Sequence, residues 1–582
     1  MIVLCVLLLS TYIYALPQEI NRQIAKSGIS KRDISIYIKE AGKNGKVVAS
    51  LNAHKTRTPA SVIKVLTTYS ALLKFGFNYR IQTRFYTKGR ISGGVLYGDL
   101  YVKGYGDPTL GNDDLEKISS YIRAEGINKI TGNIVIDRSF FKVGSRNNSG
   151  FDQHLYSPYN AMPDAMMFNE RVSTVSVTPK KNDVRKKNID PSYKVVNKLQ
   201  RVNKPCKGRY SWPSVKIDNS QTIPEFILKG KISKRCGKRD IRKVITKPYH
   251  TFYYALKEQL RKDSVKVAGS MTLREVPKDA EELFSYNSDS LEKIISKTSK
   301  KSNNLYARHL LLYLGAKVYG APATLQKGRD AITTILRNKG ALGNGVLRID
   351  NGSGLSRVSK MNAKLLADML DNAYDRYGQR WMDTLSIAGV DGTIKRRFRH
   401  TTVKNRAWMK TGTLKRVKNI GGYVKNKAGK YYTVVVLVNS SKAKYRGAKL
   451  QNEIMKWLVG SRVKASRQGV PPKAKPVSNV KITKPVKQRI EVKKSPKKTL
   501  EKSSEKRTKK PTGRYYIQVG VFGKTPNSKY FQKIKRAGFT HSVRRGKNVR
   551  VFVGRYKDKK SAQRDVAKVR KQISSGAFVV KL

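Results

Sequence analysis

Three short polar motifs stand far apart along this chain in a fixed order, and together they describe one site that the fold has to assemble. The motifs are Ser61-Val-Ile-Lys64, Ser302-Asn-Asn304 and Lys410-Thr-Gly412. A Ser-x-x-Lys sequence alone occurs by chance in most chains of this length, whereas the ordered trio is much more specific. Each motif also lies in the kind of local structure that its chemistry requires.

The first motif lies at the start of a predicted helix. Residues 61–75 contain no Gly or Pro, and Gly76 follows in the usual C-terminal position. The spacing i, i+3 places Ser61 and Lys64 side by side. A serine hydroxyl is a weak nucleophile until a base takes its proton, and Lys64 can be that base if burial and a second cation lower its pKa. A helix-capping serine beside a solvated lysine is the alternative for this motif alone.

The second motif lies in a turn at the entrance of another predicted helix, because 301–307 lead into the run Arg308-His-Leu-Leu-Leu-Tyr-Leu314. This position leaves the Ser302 hydroxyl free to relay a proton, and the Asn304 amide can fix a substrate's backbone. A simple helix cap explains this motif equally well when it is taken alone.

The third motif belongs to a predicted strand, 408–413, that ends in a glycine. Gly412 would let a substrate backbone pass close to the strand. Lys410 and the hydroxyls of Thr411 and Thr413 would receive an anionic group, here a carboxylate. A polar edge strand, the alternative, explains neither the glycine nor the clustered donors.

Other catalytic chemistries fit this sequence less well. The six histidines lie in no recognisable triad context, and there is no G-x-S-x-G nucleophile elbow. No group of Cys, His and acidic residues has metal-ligand spacing. We therefore expect no metal and no cofactor.

The ordered trio resembles the class C penicillin-binding proteins, which are periplasmic D-alanyl-D-alanine carboxypeptidase/endopeptidases. The resemblance covers roughly residues 20–460 and includes three further runs, 104–110, 350–357 and 388–393. Two positions depart from the family pattern: Asn303 stands where Asp is usual, and Tyr105 where Gly is common. Neither position does the chemistry.

The resemblance implies an α+β fold. A serine β-lactamase/transpeptidase-like domain, with a five-stranded antiparallel sheet and helices on both faces, would combine residues 16–80 and 285–460. A large, mostly β region would be inserted between them at 81–284. The sequence supports this locally, because Phe85 to Val102 forms short strand-like runs separated by glycines.

The resemblance also implies a role for each catalytic residue. Ser61 would attack the carbonyl of the penultimate D-Ala while Lys64 takes its proton. Ser302 with Lys410 would relay that proton to the leaving amine, and Asn304 would hold the substrate amide.

The substrate's terminal carboxylate would lie on Thr411, Gly412 and Thr413. The N–H groups of Ser61 and Thr413 would form the oxyanion hole. Penicillin, a mimic of D-Ala-D-Ala, would acylate Ser61 and leave slowly, so β-lactams are expected as covalent inhibitors.

Residues 1–15 are apolar and predict a secretory signal with cleavage after Ala15, hence export to the periplasm and no transmembrane anchor in the mature chain. Cys206 and Cys236 then remain, and an oxidising compartment favours a disulfide between them. A loop of about 30 residues would stabilise the fold by about 3–4 kcal/mol. Two free thiols are the alternative.

The net charge of +82 first suggests a nucleic-acid partner. The charge is spread over the whole chain and not confined to one stripe, so we expect no nucleic-acid partner. In an exported protein it indicates affinity for anionic envelope material, with a general basic bias in composition as the alternative.

The C-terminal part predicts a linker and a small domain. Residues 461–511 contain no aromatic residue and repeat Lys-Pro and Lys-Lys, which is typical of a disordered linker. Residues 512–582 resemble a SPOR domain, a βαββαβ module that binds peptidoglycan glycan strands lacking stem peptides. The matching runs, 517–522 and 550–556, supply the candidate glycan contacts Gln518, Phe522, Arg550 and Tyr556. The aromatic pattern of an RNA-binding sheet is absent.

The sequence therefore predicts an exported, wall-associated serine DD-peptidase. Its substrates would be peptidoglycan stem peptides, cut at D-Ala-D-Ala termini, at D-Ala-diaminopimelate cross-links, or at both. A non-catalytic basic scaffold that binds the wall is one alternative. A β-lactamase is another, which the large insertion and the glycan-binding tail disfavour.

Overall fold

The computed structural model of this chain describes residues 16–461, apart from 145 and 344, and residues 515–581 with short gaps at 523–525, 527–529, 533, 535–536, 546–548, 557 and 575–576. The predicted signal, 1–15, and all but the first residue of the predicted linker, 461–511, lie outside the described residues. The chain divides into two compact units, residues 1–480 and 481–582. In the described part, no helix has the length and apolar character needed to cross a membrane.

A fully antiparallel sheet forms the centre of the first unit. It has six strands and not the five expected, because the two-residue strand Ser386–Ile387 pairs with residues 408 and 409 at the edge. In spatial order the strands are Ser386–Ile387, Ala407–Leu414 (hereafter the Lys410 strand), Val417–Lys425, Tyr431–Asn439, Ile34–Glu40 and Val47–Leu51.

Helices cover both faces of this sheet, which is why all residues but the last of the strand Tyr431–Asn439 are buried. One face packs against Lys64–Phe75 (the Lys64 helix), Leu291–Lys300, Asn304–Tyr319 (the Asn304 helix), Leu325–Asn338 and Ala363–Met382. The other face packs against Gln18–Ser27 and Ala448–Gly460. The first two motifs therefore stand on helices that share one core.

The inserted region is mostly β, as expected. One sheet contains Met271–Leu273, Ile134–Asp137, Leu100–Gly104, Gln82–Thr87 and Glu281–Asn287; another contains Lys266–Val267, Lys129–Ile130, Val95–Tyr97 and Arg90–Ser92. Two three-stranded sheets contain Asp183–Lys186, Ser173–Thr178 and Arg239–Lys243, and Lys194–Val202, Glu225–Ser233 and Ser214–Asp218. The helices Leu115–Ala124 and Pro248–Lys262 pack on the first of these sheets. A disulfide joins Cys206 to Cys236 with their Cα atoms 5.2 Å apart.

The second unit contains a four-stranded sheet in the order His541–Arg545, Val549–Tyr556, Tyr515–Phe522 and Phe578–Lys581. The helix Lys559–Gln572 packs against it, and residues 530–532 and 534 are also helical. Taken in chain order, these elements give the βαββαβ arrangement expected from the sequence.

Candidate active site

Ser61 and Lys64 face each other at the start of the Lys64 helix. Ser61 lies in a 3₁₀ turn, Ala60–Ile63, and Lys64 is the first residue of the α-helix that follows. The Lys64 Nζ lies 2.9 Å from the Ser61 Oγ. The hydroxyl and the amine are thus within direct proton-transfer distance.

Lys64 is completely buried, and its other neighbours are oxygen atoms without a full charge. The Nζ donates to the Asn304 Oδ1 at 2.7 Å and to the Ser353 carbonyl. An uncharged amine has two N–H bonds for these acceptors and a lone pair for the Ser61 hydroxyl. Burial lowers the pKa of Lys64 well below its usual value, and the charges of Lys410 and Arg308 lower it further. The surroundings therefore favour a neutral lysine, which can act as a base.

The second motif lies in a turn at the start of the Asn304 helix. The Asn303 side chain caps this helix by accepting from the N–H groups of Leu305 and Tyr306. The Lys410 Nζ donates to the Ser302 Oγ at 2.9 Å and to the Thr411 carbonyl at 2.8 Å. Burial lowers the pKa of Lys410 to about 7. Ser302 and Lys410 are therefore in direct contact.

Backbone strain marks both serine-bearing turns. Ala60, next to Ser61, has a φ of 49°, and Ser302 itself has a φ of 54°. A non-glycine residue in this region costs about 1–3 kcal/mol and persists only where the surrounding structure holds it. Such strain is concentrated at functional sites in proteins, and both strained residues lie in the turns that carry the Ser61 and Ser302 hydroxyls.

The Lys410 strand continues two residues beyond Gly412, so the expectation that the strand ends in this glycine is wrong. Thr413 pairs with Lys418, and Leu414 pairs with Val417. A Cβ atom at Gly412 would lie 2.8 Å from the Pro59 carbonyl and 3.0 Å from the backbone nitrogen of Ser61. The glycine thus lets the strand approach the Ser61 turn closely.

Thr411 and Thr413 each have a polar neighbour that carried no signal in the motif. The Thr411 Oγ1 donates to the Thr393 Oγ1 at 2.8 Å, and the Lys418 Nζ donates to the Thr413 Oγ1 at 3.3 Å. Thr393 ends the run 388–393 noted in the sequence, so its position had a signal although its contact did not. Lys418 had none.

The run 350–357 also contributes to the site, through its backbone. The Ser353 carbonyl accepts from Lys64. Gly354 has a φ of 76°, and a Cβ atom there would lie 2.0 Å from the Ala60 carbonyl. A glycine at this position thus lets the loop close over the Ser61 turn. A backbone carbonyl has no side-chain signature, so the sequence did not point to Ser353.

The inserted region reaches the second motif. The Asn304 Nδ2 donates to the Tyr159 carbonyl at 3.0 Å. One turn later on the Asn304 helix, the Arg308 Nη1 donates to the carbonyls of Asn160 and Ala161 at 3.3 and 2.5 Å. Asn304 is thus held by Lys64 on one side and by the inserted region on the other.

Two cavities are prominent in the first unit. One of about 620 Å³ is lined by Tyr159, Leu355, Arg357 and the end of the Lys410 strand, so it opens beside the motifs. The larger, of about 1,050 Å³, lies between the helix Gln18–Ser27 and residues 440–442 and contains no motif residue. The smaller cavity therefore adjoins the end of the Lys410 strand, close to the third motif.

The four candidate glycan contacts do not all share one surface. Gln518 alternates with the buried Ile517 and Val519, so it faces away from the helix, as the exposed Arg550 does. Tyr556 instead packs against the helical side, where its hydroxyl donates to Asp565 at 2.8 Å. The side chain of Phe522 lies outside the described residues.

Where side chains are described, no three His, Cys, Asp or Glu residues form a group that could hold a metal ion.

Comparisons with known proteins cover both units. Residues 16–459 match the D-Ala-D-Ala carboxypeptidase 3 (S13) family, and residues 511–581 match the SPOR domain. The chain is 28% identical to the D-alanyl-D-alanine carboxypeptidase DacB of Haemophilus influenzae over 419 residues, which are 70% of this chain and 85% of that protein. It is 26% identical to the D-alanyl-D-alanine carboxypeptidase of Actinomadura sp. strain R39 over 401 residues, which are 66% of this chain and 74% of that protein.

Solved structures show the same fold. The crystal structure of penicillin binding protein 4 from Haemophilus influenzae superposes with a TM-score of 0.64 at 23% identity, over 76% of this chain and 99% of that chain. A structure of the same protein complexed with a β-lactam superposes with a TM-score of 0.59 at 24% identity, over 75% of this chain and 99% of that chain. The α+β fold and the C-terminal domain predicted from the sequence are therefore confirmed.

Proposed function

The chain belongs to the D-Ala-D-Ala carboxypeptidase 3 (S13) family, and from this membership we propose that it is a serine DD-peptidase that forms its acyl-enzyme on Ser61. The observation that carries this assignment is the 2.9 Å contact between the Ser61 Oγ and the Nζ of a fully buried Lys64. A hydroxyl next to an amine that burial keeps uncharged is the arrangement that nucleophilic catalysis needs.

In the first step, the Ser61 Oγ attacks the carbonyl carbon of the penultimate D-Ala and its proton moves to the Lys64 Nζ. Backbone N–H groups of Ser61 and Thr413 stabilise the oxyanion that forms. Asn304 and the Ser353 carbonyl hold the Lys64 amine by accepting its two N–H bonds. The lone pair is thereby directed at Ser61.

In the second step, the C–N bond breaks and the leaving D-Ala amine needs a proton. The proton that Lys64 took from Ser61 is relayed to this amine through the Ser302 hydroxyl, with the Lys410 Nζ 2.9 Å from the Ser302 Oγ assisting the transfer, so that Lys64 is neutral again. Water then attacks the acyl-enzyme ester with Lys64 as the base, which releases the shortened peptide and restores the Ser61 hydroxyl. A β-lactam acylates Ser61 in the same way as the substrate does in the first step, and the resulting acyl-enzyme is hydrolysed slowly.

In this proposal the Lys410 strand binds the substrate. Gly412 lets the strand run close to the Ser61 turn, and the hydroxyls of Thr411 and Thr413 receive the terminal carboxylate of the peptide. The 620 Å³ cavity beside the strand's end offers room for a side chain of the stem peptide. Cleavage of D-Ala-diaminopimelate cross-links belongs to the same proposal.

We extend the proposal to the domain organisation, which the two family matches support in outline. The catalytic domain would combine residues 16–80 and 285–460, with 81–284 as its inserted region, 461–511 as a linker and 512–582 as the SPOR domain. The strand Glu281–Asn287, which pairs with Gln82–Thr87, crosses the boundary at 284/285. A cell-wall peptidase with such a domain acts outside the cytoplasm, and we place this one in the periplasm on peptidoglycan. The SPOR domain would hold the enzyme on glycan strands while the catalytic domain cuts stem peptides.

The test is covalent labelling with a fluorescent penicillin. We expect the wild type to be labelled and Ser61→Ala not to be, while Ser441→Ala, a serine remote from the motifs, is labelled like the wild type. Digestion of purified muropeptides should then show loss of terminal D-Ala. Equal labelling of Ser61→Ala and the wild type would contradict the assignment.

A further inference from the structure

Lys418 is a half-buried cation beside the hydroxyl of Thr413. The two residues lie directly opposite each other across the hairpin that joins the Lys410 strand to the strand Val417–Lys425. Their side chains share one face of the sheet, with the Lys418 Nζ 3.3 Å from the Thr413 Oγ1. A flexible lysine is thus directed at one of the two hydroxyls that the third motif offers to a carboxylate.

The fold holds the Lys418 stem in place. A Cβ atom at Gly447 would lie 2.9 Å from the Lys418 Cβ, so the stem occupies space that a side chain at 447 would need. The Gln451 Nε2 donates to the Lys418 carbonyl at 2.8 Å. These contacts hold the backbone and the lower part of the side chain, from which the ammonium group reaches Thr413.

The positive charge near Thr413 has no counter-ion among the residues that the structure describes. None of the ion pairs there includes Lys418 or its charged neighbour Arg397. Arg397 instead donates to Asn452, Gln451 and the Ala448 carbonyl, none of which carries a negative charge. Two half-buried or buried cations without an acid create a positive potential that an anion would stabilise.

Lys410, the cation within the motif, is directed elsewhere. It alternates along the strand with Thr411 and Thr413, so it lies on the opposite face of the sheet. Its Nζ donates to Ser302 and to the Thr411 carbonyl. A carboxylate bound to the two threonine hydroxyls would therefore meet the charge of Lys418 on its own face of the strand.

We propose that Lys418, together with Thr413, binds the terminal carboxylate of the substrate by a charge-assisted hydrogen bond. This inference rests on the proposed function and names a further residue for its substrate recognition. An ammonium group donates without the planar geometry of a guanidinium, so it can follow a carboxylate that is also held by hydroxyls. Lys418 then makes the enzyme select peptides with a free terminal carboxylate.

The experiment compares Lys418→Met, which keeps the stem and removes the charge, with the wild-type full chain. Two substrates are used: an acyl-D-Ala thioester whose leaving group ends in a carboxylate, and the methyl ester of the same compound. We expect kcat/KM for the carboxylate substrate to fall by about 10- to 100-fold, mainly through KM. For the methyl ester we expect a change of less than about twofold.

Three controls make the result decisive. Lys449→Met removes an exposed lysine from the adjoining helix Ala448–Gly460 and should leave both substrates unaffected. Lys418→Arg keeps the charge and should restore most of the preference for the carboxylate. Lys418→Gln provides a second uncharged variant in case the methionine variant is poorly folded, as judged by its thermal unfolding.

Equal losses on both substrates would overturn the inference and make Lys418 a packing residue, and so would normal kinetics on both. These outcomes are separate from the proposed function. If the Lys418 variants are still labelled by penicillin on Ser61 but ignore the carboxylate, only the inference fails. If Ser61→Ala is labelled like the wild type, the proposed function fails first.

Discussion

At the scale of single residues, the site depends on two buried lysines that lack a carboxylate partner in the described structure. A buried lysine without an acid loses its proton readily, because desolvation penalises the charged form. Burial acts on Lys64 and Lys410 alike, but Lys64 also has the charges of Lys410 and Arg308 near it. The two pKa values are therefore pushed apart, so that one lysine can be a base while the other is still a cation.

This separation predicts a bell-shaped pH profile for acylation by penicillin. The rate constant should rise as pH rises through the pKa of Lys64, because only the neutral amine accepts the Ser61 proton. It should fall as pH rises through the pKa of Lys410, about 7, because the ammonium group is then lost.

The substitution Lys410→Arg tests which group causes the acylation rate to fall at high pH. Arginine keeps its charge to pH above about 12, so the fall near neutral pH should disappear even if the overall rate is lower. Stopped-flow acylation over a range of pH would measure this, with Lys449→Arg as the control. An unchanged alkaline limb in Lys410→Arg would assign it to another group.

At this scale the sequence predicted only contacts between residues close together in the chain. The i, i+3 spacing brings Ser61 and Lys64 together on any helix. The partners of Lys64 beyond this turn are an amide and a backbone carbonyl, Asn304 and Ser353, and no local rule pairs them with it. Thr393 and Lys418 were missed for a related reason, since their contacts depend on how a loop and a hairpin lie against the strand.

At the scale of elements, the inserted region helps to position the second motif. Residues 169–171 all have positive φ values, between 48° and 59°, although none is glycine. This strained turn brings the Glu170 carboxylate 2.7 Å from Lys297 and 3.4 Å from the Asn303 Nδ2. Asn303 can donate to a carboxylate, whereas the aspartate usual at this position in the family would repel it.

We therefore expect Asn303→Asp to slow acylation by about tenfold, because two carboxylates would then face each other beside the Ser302 turn. Adding Glu170→Gln should restore most of the rate, since the glutamine amide can donate to the carboxylate introduced at position 303. Glu170→Gln alone should have a small effect, because Asn303 still caps the helix.

The measurement is a double-mutant cycle on the acylation rate, with Glu225→Gln, remote from the motifs, as the control for loss of one negative charge. Additive effects of the two substitutions would show that Glu170 and position 303 are not coupled. Thermal unfolding of each variant would separate a change in stability from a change in the site.

The short strands at the start of the inserted region were predictable, because the glycines within 85–102 separate the predicted runs where the strands of the structure end. The hairpin after Gly412 was not, for a physical reason. In its two-residue turn, 415–416, Arg416 has a φ of 65°, which arginine rarely adopts. The sequence has no Gly, Asn or Asp in this turn, so it gives no signal for a hairpin. The edge strand Ser386–Ile387 is too short for any periodicity to be read from it.

At the scale of the whole molecule, a chain with a net charge of +82 will bind anionic material unless salt screens it. Specific glycan binding by the second unit has to be distinguished from this general attraction. Gln518 is useful because it is uncharged and lies on the open face of that sheet, away from the helix.

We expect residues 512–582 to bind purified peptidoglycan and to prefer strands stripped of stem peptides. Part of this binding should persist at 1 M salt, where the Debye length is about 3 Å and exposed ion pairs are screened. Gln518→Ala should abolish the persistent part by removing a contact to sugar. Co-sedimentation measures both effects.

Lys560→Ala is the matched control, since it removes an exposed charge and leaves the open face intact. It should weaken binding at low salt only. Binding that vanishes with salt and ignores Gln518→Ala would make the second unit a polycationic anchor.

The close packing of the Ser61 turn between Gly354 and Gly412 bears on how drug resistance could evolve in this enzyme. A side chain at either glycine would collide with the backbone of the turn that carries Ser61, the proposed nucleophile. Because the added atoms would displace Ser61 itself, they would disrupt the proposed peptidase reaction together with acylation by a β-lactam. Substitutions that reduce acylation by a β-lactam and keep the peptidase active are therefore expected at positions other than these two glycines.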